Sequence, residues 1–341
     1  MSSKFFNWET AAEMIRSQST EHRGDELVRD PLVTVSIVTY QHREFIEDAV
    51  NGVLSQKVDF PFEIIAGDDG SSDGTAEFLL ELQRRHPDKV RVLVSKPNLG
   101  IHTRNGRLNL LRNLQASRGK YVALVEGDDF WTDPNKLADQ VGLLEERGEL
   151  AGSWHDVEVV GNQSDRRFFI DFGEKTEFTF EDQLGGDCAC ATGSMVFRRE
   201  LLPAEWEDWV IWAPSFDLFL ISLLSSQGPM AKVSGERGTY RTHEGGITQS
   251  AAWKSWSMAY RRVLYARGMK NWFSPRGEGS FQDLEGRYFG ILFRTGIKQL
   301  SLESLGAIGS SARALGLGRS LSVVAGSIRG WLGYHLGSTA K

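Results

Sequence analysis

The chain has 341 residues, 40% hydrophobic and 25% charged, with a formal net charge of −6. That length suits about two domains able to bury cores without a disulfide or structural zinc as a staple. The acidic balance argues against nucleic acid as a partner, and the two cysteines, Cys188 and Cys190, are too close for an easy disulfide and too few for tetrahedral zinc.

Both cysteines read as small buried residues of a protein in a reducing compartment. Residues 1–30 are polar, lack a clean period, and read as a mobile or helical lead-in with no signal-peptide run. No stretch approaches the ~18 apolar residues of a membrane span. A cytoplasmic protein is expected, at most peripheral at the inner face of a membrane.

Regular structure is expected after Pro31. A β-branched run from Leu32 to Val38 predicts a buried strand ending at Thr39-Tyr40-Gln41-His42. Phe45, Ile46, Ala49, Val50, Val53 and Leu54 then keep a helical period. A second strand, Phe62 to Ala66, runs into Gly67-Asp68-Asp69-Gly70-Ser71-Ser72-Asp73-Gly74, whose Ser and Asp residues suit the cap of a helix bearing Phe78, Leu79 and Leu82. A third strand, Val90 to Val94, leads through Pro97-Asn98-Leu99-Gly100 to a helix with Leu108, Leu111 and Leu114. The fourth, Tyr121 to Val125, ends at Glu126-Gly127-Asp128-Asp129, and Asp133-Pro134 opens a helix with Leu137, Val141 and Leu144. This alternation predicts an α/β fold, a mostly parallel sheet sandwiched by helices, with its polar loops at the carboxyl ends of the strands.

The rhythm changes after Gly152. Ser153 to Val160 alternates like a half-exposed strand, and its His155-Asp156 either faces solvent or lines a pocket. Further strands are expected at Thr192 to Phe197, Met230 to Val233 and Gly238 to His243, with a helix from Leu218 to Leu224. Trp206, Trp209 and Trp212 pack a helix or loop, or offer aromatic faces to a ligand ring. After about residue 250 the chain reads as helical, through Phe281, Leu284, Tyr288, Ile291 and Leu292 and again through Leu321, Val324, Ile328 and Trp331. From Ser304 to Lys341 there is no acidic residue, while Arg313, Arg319, Arg329 and Lys341 are basic. Such a segment lies on an anionic membrane or packs on the α/β domain or a sister subunit.

The two acidic loops carry the chemistry. Carboxylates gathered at one place repel unless a cation sits among them. Glu126 and Asp128 can both turn to one divalent ion, and Mn2+ or Mg2+ suits carboxylate and phosphate oxygens. A diphosphate would then bind through the metal, which also stabilises the charge of a departing diphosphate. An Asp-Asp pair alone is more often a turn or cap, but this one follows a buried strand beside a second acidic loop.

With Val35-Ser36-Ile37-Val38-Thr39-Tyr40, Gly67 to Thr75, Asn98-Leu99-Gly100, Gly119 to Leu124 and Glu126-Gly127-Asp128-Asp129-Phe130-Trp131 in this order, the chain resembles the family 2 glycosyltransferases of GT-A fold. Weaker matches follow at Gly193 to Arg198 and Tyr240-Arg241-Thr242-His243. The resemblance implies an inverting transfer from a nucleotide diphosphate sugar, a UDP-sugar favoured, to a glycan or lipid-linked acceptor. It implies that Thr39 and Tyr40 line the base and ribose pocket, and that Asp68 or Asp69 accepts a hydrogen bond from the base. Asn98 and Arg241 join the nucleotide-sugar site. Asp128 becomes the metal ligand, Glu126 a variant partner and His243 a distant ligand. Asp217 is the candidate general base, with Glu207 and Asp208 as alternatives.

The corresponding partition is a lead-in at 1–30, a GT-A domain at 31–249 and a helical region at 250–341. The GT-A domain divides at residue 150 into a nucleotide-sugar-binding half and an acceptor half. A homo-oligomer is a further expectation. The competing readings are a noncatalytic nucleotide-sugar or carbohydrate binder and a sugar-nucleotide pyrophosphorylase. The latter needs a Gly-rich basic loop where this chain has Thr39-Tyr40-Gln41-His42-Arg43.

Overall fold

A computed structural model describes residues 7–100, 106–162, 169–184, 187–245, 254–299 and 301–326. The chain forms two compact units: Met1–Gln183, Asp187–Ile211 and Asp217–Glu244 in the first, and Leu184–Gly186, Trp212–Phe216 and Gly245–Lys341 in the second.

The first unit is built on one sheet. Its strands are β1 (Ser19–His22), β2 (Val33–Thr39), β3 (Phe62–Asp68), β4 (Val90–Ser95), β5 (Tyr121–Glu126), β6 (Phe130–Trp131), β7 (Gly152–Gly161), β8 (Glu177–Phe178), β9 (Val196–Arg198) and β10 (Met230–Thr242). Across the sheet the order is β1-β4-β3-β2-β5-β9-β7-β10-β6, with β8 also paired to β10. The ladders β4-β3-β2-β5 are parallel, as is β7-β10; β1, β6, β8 and β9 join antiparallel.

Alternation along β2 explains how both faces are covered. Val33, Val35 and Ile37 enter a core with Ile46, Val50 and Val53 of α2 (Ile46–Leu54), Leu79 and Leu82 of α3 (Thr75–Arg85) and Leu137, Val141 and Leu144 of a helix at Lys136–Glu146. The opposite face carries Thr34 and Ser36, which are also buried. They meet polar groups beneath α4 (Arg107–Ala116), where Asn113 Nδ2 donates to Ser36 Oγ at 3.1 Å. The Lys136–Glu146 helix is α5.

Three expectations are corrected. Regular structure begins before Pro31, because α1 (Trp8–Gln18) leads into β1, which pairs with β4. Thr192–Ser194 is a 3-10 turn and only Val196–Arg198 is strand. The two late strands are one, β10, whose register on β7 shifts between Lys232 and Gly238.

The second unit contains α9 (Trp256–Phe273), α10 (Glu278–Gln299) and α11 (Leu302–Leu315), with 317–326 also helical. Its core gathers Ala259, Val263, Phe289, Leu292, Ala307 and Leu315. The expected continuation through Ile328 and Trp331 lies outside the described residues. The shorter helices α6 (Phe180–Gln183), α7 (Asp208–Ile211) and α8 (Phe216–Ser225) precede β10. Among the described residues, no helix is long and apolar enough to cross a membrane.

Candidate active site

Parallel strands place their carboxyl ends on one edge, so Thr39 of β2, Asp68 of β3 and Glu126 of β5 arrive together. Each loop then has to build a turn and satisfy its own donors.

The β3 loop does this with its acidic residues. Asp68 is fully buried and accepts from Gly70 N at 3.0 Å, Ser71 N at 2.9 Å, Ser71 Oγ at 2.6 Å and Thr39 Oγ1 at 3.2 Å. Asp69 reaches the β4 loop, accepting from Leu99 N at 2.8 Å and Gly100 N at 2.9 Å. Burial pushes the Asp69 carboxyl up to about 6, against those two N–H groups. Asn98 precedes them, half-buried at the end of the loop.

The same loop braces the one after β2. Gln41 has a φ of 58°, an uncommon conformation for a side chain with a Cβ. Its N–H bonds to Ser71 Oγ at 2.9 Å, and its amide exchanges hydrogen bonds with Ser72. His42 N donates to Thr75 Oγ1 at 3.0 Å and Arg43 N to Asp73 Oδ2 at 2.9 Å. Thr39 is thereby buried, while Tyr40 stands 46% exposed at the rim.

Asp128 lies between two imidazoles. His243 Nε2 is 3.1 Å and His42 Nε2 3.8 Å from Asp128 Oδ2. Burial would raise the Asp128 carboxyl, but the His243 hydrogen bond and nearby His42 hold it below the usual carboxylate range. In return the Asp128 bond raises His243, while burial lowers His42. Glu126 is raised by burial, by Asp128 and by Asp217. Asp217 sits in the first turn of α8, and the Cys188 thiol contacts its Oδ2 at 3.4 Å. Glu126, Asp128 and Asp217 thus share one electrostatic neighbourhood.

The glycine between Glu126 and Asp128 is a steric requirement. A Cβ on Gly127 would stand 2.7 Å from both His42 Nδ1 and Thr39 Cγ2. Only a bare backbone lets these loops close.

Arg241 ties the acidic loop to its surroundings. Its N–H donates to Asp129 Oδ1 at 2.7 Å, and its guanidinium donates to the Asp128 carbonyl at 2.9 Å and to Asp48 Oδ2 at 2.9 Å. The guanidinium lies 4.9 Å from the Phe45 ring centroid and 5.0 Å from that of Phe130. With these bonds Arg241 braces the loop that carries Asp128 and Asp129.

Other expectations sort on contacts. Asp208 Oδ1 accepts the Trp8 N–H at 2.8 Å at the start of α1, and Glu207 is exposed. Trp206 and Trp212 are buried, with Trp206 edge-on to Phe219, so packing is their role. His155 is corrected: it is buried rather than solvent-facing, because the start of β7 is covered. Cys190 is buried as expected, but Cys188 is only partly so.

Sequence reasoning gave no role to His42, Asn109, Arg112 or Tyr240. Asn109 Nδ2 donates to the carbonyls of Thr39 at 3.1 Å and Gly67 at 2.8 Å, and Arg112 reaches the Asp68 carbonyl at 3.2 Å. Tyr240, edge-on to the Phe169 ring at 5.5 Å, is raised by burial and then by Glu126, Asp129, Asp128 and Asp217. One available signal was polar Asn109, Arg112 and Asn113 interleaved with Leu108, Leu111 and Leu114 on a helix that had to be buried. Among the described residues, no group of three His, Cys, Asp or Glu side chains is arranged to hold a metal ion.

The profile of the family described as Glycosyl transferase family 2 matches residues 34–203. The Mycobacterium tuberculosis protein Rv1520 is 31% identical over 227 residues, 64% of this chain and 61% of that protein. The chain therefore matches less than two thirds of that relative's length. In fold it is similar to S. aureus TarS 1-349 in complex with UDP-GlcNAc (TM-score 0.58, 18% identity, 83% of this chain and 80% of that one). It is similar also to the mannosyltransferase PcManGT from Pyrobaculum calidifontis in complex with GDP-Man and Mn2+ (TM-score 0.51, 16% identity, 94% and 86%). With its ordered motifs on a mostly parallel sheet of GT-A type, the chain belongs to glycosyltransferase family 2.

Proposed function

We propose that this chain transfers a sugar from a nucleotide diphosphate sugar, a UDP-sugar favoured, to a hydroxyl of a glycan or lipid-linked acceptor, with inversion. The observation that carries the reading is the meeting of Asp128 with His243 at the strand edge where Thr39, Asp68 and Glu126 also end.

Mn2+ or Mg2+ fits the donors present. Asp128 Oδ2 and His243 Nε2 are 3.1 Å apart, close to the ~3 Å between neighbouring donors of an octahedral ion bound at about 2.1 Å. Such ions take one or two protein ligands and fill the remaining positions with water and substrate phosphate, so a third protein ligand is not required. Asp128 and His243 would hold the ion, with Glu126 acting directly or through water; when bound, the ion neutralises charge on the diphosphate leaving group. His243 gives up its proton to ligate, which makes metal affinity fall at low pH.

The chain's own groups divide the remaining work. Tyr40 and Thr39 border the base and ribose. Asp68 and Asp69 shape the floor with bonds to their own loops, and whichever meets the base exchanges one of them. Asn98 follows on the neighbouring loop. Arg241 keeps the acidic loop in register. Asp217 takes the acceptor proton as the hydroxyl attacks, on the opposite side of the sugar from the diphosphate. PcManGT with GDP-Man and Mn2+, and TarS with UDP-GlcNAc, support donor chemistry of this class.

The test is release of nucleoside diphosphate from a panel of nucleotide sugars and acceptors, with Mn2+, Mg2+ or EDTA. Turnover is expected with metal, abolished by EDTA, and lower by about 100-fold or more in Asp128→Ala. Asp217→Asn should bind donor normally and fail to turn over. Metal-independent release, or full activity in Asp128→Ala, would sink the reading.

A further inference from the structure

Among the described residues, large apolar side chains are exposed at Tyr40, Ile297, Leu302, Leu305, Leu317 and Leu321. Tyr40 belongs to the site. The other five fall between residues 297 and 321, in the second unit. A single exposed leucine needs no explanation, but such a concentration marks a surface that something covers.

These side chains belong to ordered helix faces. On α11, Ser304, Ala307, Ser311 and Leu315 turn inward, while Leu302, Leu305, Gly309 and Arg313 are exposed at helical spacing. Across 317–326, Val323 and Val324 pack on the core and Leu317 and Leu321 stand out. Leu302 is 90% exposed, Leu317 72% and Leu321 69%.

Charge selects the occupant. Arg294, Lys298 and Arg313 are exposed along the same segment, against a single carboxylate, Glu303, which is exposed beside Leu302. From Ser304 to the last residue the chain has no acidic side chain, although its net charge is −6. Arg319 is taken by Asp283 and drops out of the count. A second copy docking by a two-fold contact would set these cations against one another. An anionic bilayer offers phosphates to the cations and an acyl boundary to the leucines.

We propose that the exposed apolar side chains of this helical segment, Ile297, Leu302, Leu305, Leu317 and Leu321, with the exposed Arg294, Lys298 and Arg313 near them in the chain, dock on an anionic phospholipid membrane. The proposal stands apart from the transfer reading, because binding is measured without turnover.

The full chain would be sedimented with vesicles of phosphatidylcholine, with or without phosphatidylglycerol. Binding is expected on the anionic vesicles, about tenfold weaker on the neutral ones, and reduced by salt. Combined Leu302→Asp, Leu305→Asp, Leu317→Asp and Leu321→Asp should lower binding about tenfold or more with an unchanged melting temperature. Arg294→Gln, Lys298→Gln and Arg313→Gln together should remove only the preference for anionic lipid. Absence of binding to anionic vesicles, or equal binding by the leucine variant, overturns the proposal. A dimer seen by light scattering and dissolved by the leucine substitutions, without vesicle binding, gives the face to a second copy instead.

Discussion

His155 and Lys136 are both buried, and among the described residues neither His155 Nε2 nor Lys136 Nζ has a hydrogen-bond partner. Lys136 Nζ lies 3.6 Å from the centroid of the Trp131 ring, and His155 Nδ1 is 2.7 Å from the Asp156 carbonyl. That carbonyl accepts, so Nδ1 carries the proton and Nε2 is the bare nitrogen. Burial first and Lys136 second push His155 down to about 3. In the unfolded chain the imidazole titrates near 6.5, so below that pH the unfolded state binds the extra proton and the folded state does not. Stability from this residue is complete above about 6.5 and falls as pH drops toward 3, by roughly 1.4 kcal/mol per unit. The wild-type melting temperature should therefore fall more steeply between neutral and mildly acidic pH than that of His155→Gln. Parallel curves would refute the assignment. Gly127 gives a second prediction at this scale. Gly127→Ala forces its methyl against His42 and Thr39, which should cost about 1–3 kcal/mol and weaken donor binding.

At the level of elements, strands were readable because a buried parallel strand is a short β-branched run, and β2 to β5 are such runs. The polar layer under α4 was not readable, since nothing local in Thr34, Glu63, Arg91 or Arg118 says they will meet. Glu63 is fully buried and bonds Thr34 Oγ1 at 2.8 Å, Arg91 at 3.1 Å and Arg118 at 2.5 Å. Removing one partner strands buried charge, so Glu63→Ala should lose about 3–5 kcal/mol in denaturant unfolding. The acidic loop was legible from its four residues, but its support was not. Arg241 comes from β10, whose shifted register on β7 no periodicity signals. Arg241→Lys keeps the charge and loses the planar fork that serves the Asp128 carbonyl and Asp48. It should weaken Mn2+ affinity about tenfold with little change in the melting temperature. A variant that binds Mn2+ normally but binds donor poorly would assign Arg241 to the nucleotide sugar instead.

At the scale of the whole molecule the two units carry separate cores. One gathers Val35, Ile37, Ile64, Val92 and Leu137; the other gathers Val263, Phe289, Leu292 and Ala307. The candidate site draws on Thr39, Asp68, Glu126, Asp128, Asp217 and His243, all within the first unit. Sequence could separate these regions because the strand–helix alternation gives way to helical periods, yet it could not show that Trp212–Phe216 belongs with the second unit. A ligand stabilises only what it binds, by RT ln(1 + [L]/Kd), about 2.7 kcal/mol at a hundredfold excess over Kd. In calorimetry, a nucleoside diphosphate with Mn2+ should raise the transition of the first unit. If the units unfold separately, the second transition stays where it was. In Asp128→Ala the shift should vanish under the same conditions. A shift that persists there would place nucleotide binding outside the acidic loop and return Asp128 to the ordinary work of a turn.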